Sequence, residues 1–107
     1  MNQADGRDDA IVIHVDPRME DLVSAYLERC RTDVQTIPSL LSGDDLEAIR
    51  ALGDRMAGSG GAYGFSDVST LGFEIERAAR VSDHAAIGEA VAGLVRYLES
   101  VKIVRSS

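Results

Sequence analysis

From Val23 onward the apolar side chains fall at Val23, Leu27, Cys30, Val34, Ile37 and Leu41, in alternating steps of four and three. That spacing puts all six on one stripe of a helix. Pro38 interrupts the pattern, because it has no N–H to donate to the carbonyl of Val34, and it predicts a kink or an irregular last turn. Gly43 is the expected stop. Asp44-x-x-Glu47 has the spacing of a capping box and opens a second helix, with Leu46, Ile49, Leu52 or Gly53, Met56 and Gly60 facing inward. Ser66-Asp67 is the expected cap of a third helix, with Val68, Leu71, Ile75 and Ala79 on its inner face. Ser82-Asp83 caps a fourth, whose stripe is Ile87, Val91, Leu94, Leu98 and Val101. From Lys102 onward the tail is expected to fray.

Ahead of these helices, Ile11-Val12-Ile13-His14-Val15 is a short β-branched run. It reads as extended, too short and solitary for a sheet, and packed along the helices. Asp16-Pro17 then reads as an N-cap with proline in the first turn. Long helices joined by short loops predict an all-α fold, an antiparallel up-down four-helix bundle with an extended N-terminal segment and a short N-terminal helical turn. The expected division is a flexible tail over residues 1–10 and one bundle domain over 11–104.

Composition narrows the possible partners. With 107 residues the chain has room for one domain, and 45% apolar against 5% aromatic residues leaves Ala, Leu, Val and Ile to build the core. The formal net charge of −7 disfavours nucleic acid and anionic membrane surfaces as partners. Cys30 is the one cysteine, so neither an internal disulfide nor a cysteine-built zinc site is expected. No metal or other cofactor is expected. No apolar run approaches the ~20 residues that span a bilayer. Met1 to Ala10 is polar with three aspartates and has no leader pattern. The expected compartment is the cytoplasm.

Gly58, Gly60, Gly61 and Gly64 crowd into seven residues. Composition alone reads such a cluster as an interhelical loop. A helical reading must accept roughly 1 kcal/mol per interior glycine. At ~100° per residue, that reading puts Asp54, Gly58 and Gly61 on one stripe with Glu47, and Ile49, Gly53, Met56 and Gly60 on an opposite, inner stripe. The outward glycines would leave a low surface for a partner's backbone. The inward ones would let a neighbouring helix come close.

Leu52-Gly53-Asp54-Arg55-Met56-Ala57-Gly58-Ser59-Gly60-Gly61-Ala62-Tyr63-Gly64-Phe65 resembles the active-site helix of histidine phosphotransfer (HPt) domains, whose motif reads His-x-Leu/Met-Lys-Gly-Ser-x-x-x-x-Gly. Asp54 stands at the histidine position and Ala57 at the lysine position. Residues 11–17 resemble the lead-in of single-domain members, 27–34 their first long helix, and 73–79 the helix after the motif. The resemblance spans roughly residues 11 to 101 and favours one helix from Asp44 to about Tyr63, with Asp54 exposed. It implies a phosphorelay protein whose partners are a response-regulator receiver domain or a sensor kinase. The implied docking surface is Glu47, Arg50, Asp54, Arg55, Ala57, Gly58 and Gly61.

In an active HPt domain an imidazole nitrogen takes a phosphoryl group from a receiver's aspartyl phosphate, and a lysine offers positive charge to its oxygens. Asp54 is a weaker, shorter nucleophile and Ala57 brings no charge, so no phosphotransfer and no catalytic residue is expected at this position. Asp54 then reads as a neutral relic, as a fixed charge that partly imitates phosphohistidine, or as an introduced substitution. The alternatives are an active phosphotransferase that uses His84 or His14, and a structural or dimerising bundle. Ala57-Gly58-Ser59-Gly60-Gly61 nearly spells a hydrolase nucleophile elbow, but that motif needs a preceding strand and a sheet around it. No Lys-Ser/Thr follows to make a phosphate loop. Cys30, on an apolar stripe, reads as a small buried hydrophobe.

Overall fold

The computed structural model describes residues 10–105, so most of the expected tail over residues 1–10 lies outside the described residues. The elements are strand β1 (Ile11–Val15), a 3-10 turn (Pro17–Met19), helices α1 (Glu20–Ser42) and α2 (Leu46–Ser59), a second 3-10 turn (Gly61–Tyr63), α3 (Ser66–Arg80), α4 (His84–Ser100) and strand β2 (Val101–Arg105). Helix α1 packs on α2 and α4, and α3 packs on the same two, which closes a four-helix bundle. The expected stripes form the core. Val23, Leu27, Cys30, Val34 and Ile37 are buried on α1, Ile49 and Met56 on α2, Val68 and Ile75 on α3, and Ile87, Leu94 and Leu98 on α4. Pro38 lies on the exposed side of α1, and the helix continues through it to Ser42.

Both ends of the chain depart from expectation. β1 is not solitary. It pairs in parallel with β2, in the register Ile11↔Val101 to Val15↔Arg105. The segment expected to fray is therefore a strand. Val101 ends the helical stripe and is buried, yet it already has extended backbone angles. Beyond it Lys102, Ile103 and Val104 alternate outward and inward. On the facing strand Ile11, Ile13 and Val15 turn toward the bundle, while Val12 and His14 face outward.

The expected caps shift by one residue. Asp45, not Asp44, accepts the Ala48 N–H at the start of α2, and Asp83, not Ser82, accepts the Ala86 N–H at the start of α4. The displaced residues have a different task. Asp44 and Ser82 both adopt φ 58°, in the left-handed region. Around them the last carbonyls of each preceding helix are closed in the same way, by Asp44 N→Leu41 O and Asp45 N→Leu40 O, and by Ser82 N→Ala79 O and Asp83 N→Ala78 O. Each interhelical connection is thus a left-handed C-terminal closure followed at once by an aspartate N-cap. Ser66, expected as a cap, is instead the first residue of α3, and buried Phe65 holds the cap position without a side-chain hydrogen bond.

A non-glycine residue in left-handed geometry carries steric cost. Ser82→Gly should therefore raise stability by about 0.5–1 kcal/mol after glycine's own entropy is counted. Urea denaturation measures this, and an unchanged or lowered midpoint would contradict it. Ser82 is a cleaner probe than Asp44, whose carboxylate also lies 3.3 Å from His84 Nε2.

Candidate functional site

Helix α2 owes its position to glycines. A Cβ on Gly53 would lie 2.7 Å from the Glu76 nitrogen and from the Gly72 carbonyl oxygen. One on Gly72 would lie 2.7 Å from the Ala57 nitrogen, and one on Gly60 2.7 Å from the Ser69 nitrogen. Backbone meets backbone along the α2–α3 seam. The same closeness buries Glu76, only 5% exposed, whose carboxylate takes an ion pair from Arg80 on the next turn. Sequence periodicity put Leu71 on the inner face of α3. Leu71 is half-buried, and Gly72 and Glu76 share the seam.

The glycine-rich segment is helical, with a tightened end. α-Helix runs to Ser59, and Gly60 keeps helical angles of φ −55° and ψ −49°. The expected single helix to Tyr63 stops there. Gly61 N–H, which would continue the ladder to residue 57, donates instead to Ser69 Oγ on α3 at 2.8 Å. The next residues form one 3-10 turn, and Gly64 reverses the chain at φ 91°.

One contact was not expected. Tyr26 on α1 reaches across to this turn, with its hydroxyl 2.7 Å from Ser59 Oγ. Ser59 Oγ donates to the Arg55 carbonyl at 2.8 Å, so the Tyr26 hydroxyl is the donor to Ser59. The Tyr26 ring stacks on Tyr63 at 4.3 Å between centroids and on Phe65 at 6.0 Å. Burial pushes the Tyr26 hydroxyl well above the usual tyrosine range, which keeps it a neutral donor. The only sequence signal was an aromatic residue beside Leu27, widening the α1 stripe.

The outer face of α2 carries the residues expected there. Asp54, Arg55 and Gly58 are exposed, and Ala57 is half-buried. A Cβ on Gly58 would meet no heavy atom within 4 Å, so the surface one turn beyond Asp54 is bare. Gly61 is exposed too, but it belongs to the 3-10 turn and is tied to Ser69. The two arginines make their hydrogen bonds to other carboxylates. Arg50 forks onto Glu47, at 2.6 Å and 3.1 Å, and its hydrogen bonds hold the Glu47 carboxyl below the usual range. Arg55 reaches Asp33 of α1 at 3.3 Å. Asp54 itself makes no hydrogen bond or ion pair among the described residues.

The two histidines lie apart from each other. His84 starts α4 and contacts Asp44, in the loop before α2. About 12 Å of helix separates Leu46 from Asp54. His14, on the outer side of β1, lines an apolar groove with Met19, Leu22, Ala62, Tyr63 and Gly64, at the far end of the motif from Asp54. Among the described residues no group of three His, Cys, Asp or Glu side chains converges as metal ligands would. No helix among them is long and apolar enough to cross a membrane.

No curated protein and no solved structure gives a significant match to the chain. The Hpt domain family matches residues 21–103, from the first turn of α1 into β2, and therefore takes in the whole bundle and the glycine seam. This four-helix chain belongs to the Hpt domain family.

Proposed function

We propose that the chain is an HPt-like signalling protein of a two-component phosphorelay that docks on a response-regulator receiver domain, or on a sensor kinase, without accepting phosphate at position 54. Hpt domains work in such phosphorelays with those partners. The observation that carries the reading is the bare surface at Gly58, one turn beyond an outward Asp54, on a helix fixed from behind by backbone contact with α3. A scaffold built to present that face is kept, while the side chains at 54 and 57 are a carboxylate and a methyl group. Phosphoryl transfer to nitrogen needs an imidazole there, and the charge that lysine would give the phosphoryl oxygens is missing from residue 57. Cytoplasmic signalling suits this reading.

Incubation with phosphorylated receiver domains from the same organism tests it. The chain should acquire no phosphate, whereas Asp54→His with Ala57→Lys should acquire some, read as label retained on the separated chain. Phosphate on the unaltered chain, lost when His14 or His84 is replaced, would make it an active phosphotransferase. Self-association with no affinity for any receiver or kinase would make it a structural bundle.

A further inference from the structure

The charges around Asp54 are arranged so that one of them is left over. Arg50 is occupied by Glu47 through two hydrogen bonds. Arg55 is occupied by Asp33, whose side chain is only 18% exposed. Ala57 carries no charge, and Gly58 has no side chain to shield its neighbour. Of the three carboxylates Glu47, Asp33 and Asp54, the first two have an arginine partner and Asp54 has none among the described residues. The carboxylate without an ion pair is thus Asp54, one turn before the bare surface at Gly58.

Resting on the docking reading above, we propose that Asp54 makes the chain select the state of its receiver partner, taking the unphosphorylated, divalent-cation-loaded form over the phosphorylated one. A receiver's acceptor pocket offers a bound cation and a lysine, and both attract a carboxylate at its mouth. Phosphorylation of the acceptor adds negative charge at that mouth. Asp54 then meets a like charge in a desolvated contact, and the hydrogen bonds of Arg50 and Arg55 go to Glu47 and Asp33 instead. Removal of the cation leaves the pocket's own carboxylates uncompensated and repels Asp54 in the same way. The chain would thus occupy resting receivers and release them once they are phosphorylated.

The test is a titration of the full chain with receiver domains of the same organism in three states: with Mg²⁺, with Mg²⁺ and beryllofluoride, and with EDTA. Binding should be tightest with Mg²⁺ alone and at least about tenfold weaker in each of the other states. Asp54→Asn should shrink both gaps to within about twofold while leaving the melting temperature unchanged. Equal or tighter binding of the beryllofluoride state would overturn the inference and leave docking intact. Gaps that persist in Asp54→Asn would overturn it too, because discrimination would then lie elsewhere on the face. No binding to any receiver in any state would overturn receiver docking itself, and the inference with it.

Discussion

Gly53→Val should destabilise the bundle by about 3 kcal/mol, because its side chain would have to enter a seam where even a Cβ lies 2.7 Å from two backbone atoms. For a domain of this size that is a fall in melting temperature of about 15 °C. The obstructing atoms are the Glu76 nitrogen and the Gly72 carbonyl oxygen, which cannot move aside as a flexible side chain would. Relief requires α2 and α3 to separate, and separation would admit water to the buried Glu76 carboxylate and loosen Met56 and Ile75. The matched control is Gly58→Ala, five residues along the same helix. Its Cβ meets nothing within 4 Å, so only helix propensity changes, and stability should rise by up to about 1 kcal/mol. Thermal melts of the two variants give shifts of opposite sign. Equal shifts would mean that the seam is not the tight contact described.

Gly58→Leu should weaken binding to a receiver or kinase partner by at least about tenfold while the fold stays as stable as before or becomes more so. The leucine would stand on open surface and would hold a partner's backbone away from Asp54. Gly58→Ala, which adds one carbon, should fall between. A fold defect cannot imitate this result, because the two readouts move in opposite directions. Gly61→Leu is a poorer probe. Gly61 sits in a 3-10 turn with its N–H on Ser69 Oγ, so helix propensity does not predict its stability and a change there disturbs the turn itself. Undiminished binding by Gly58→Leu to a demonstrated partner would remove this face from the docking surface.

Much of this architecture was legible in the sequence, and each failure has its own physical cause. The four stripes stand out because burying one face of a helix is a strong, repeated constraint that a 3.6-residue period records directly. Val101 misled because it satisfies the stripe of α4 and the inner face of β2 at once, so the helical period ran on into a strand. The strand pairing was hidden for a further reason. Each half is five residues long, and its partner lies at the other end of the chain. Caps were misplaced by one residue because Asp44 and Ser82 are good N-cap types next to better-placed aspartates, and composition does not reveal which adopts the left-handed angle.

At the site, side-chain direction was legible and side-chain pairing was not. Asp54 and Gly58 project outward, and Gly53 and Gly60 inward, as a helix of that register requires. The sequence placed Arg50 and Arg55 beside Asp54, but it did not reveal that Glu47 and Asp33 occupy them. The Arg55 partner comes from another helix. Tyr26 was missed for the same reason, since its hydrogen bond to Ser59 joins residues that only the folded bundle brings together.

The parallel pairing of β1 with β2 sets an order of events in folding. Ile11 meets Val101 only after almost the whole chain between them has been gathered in, so closing this loop carries the largest entropy loss of any contact described. The α2–α3 hairpin, by contrast, joins near neighbours through a turn of a few residues and can form early. The strand clasp is therefore expected to close after the α2–α3 hairpin. Its opening would unfasten the lead-in at Pro17 from α1 and widen the groove beside Tyr63, while leaving the glycine seam and the Asp54 face closed.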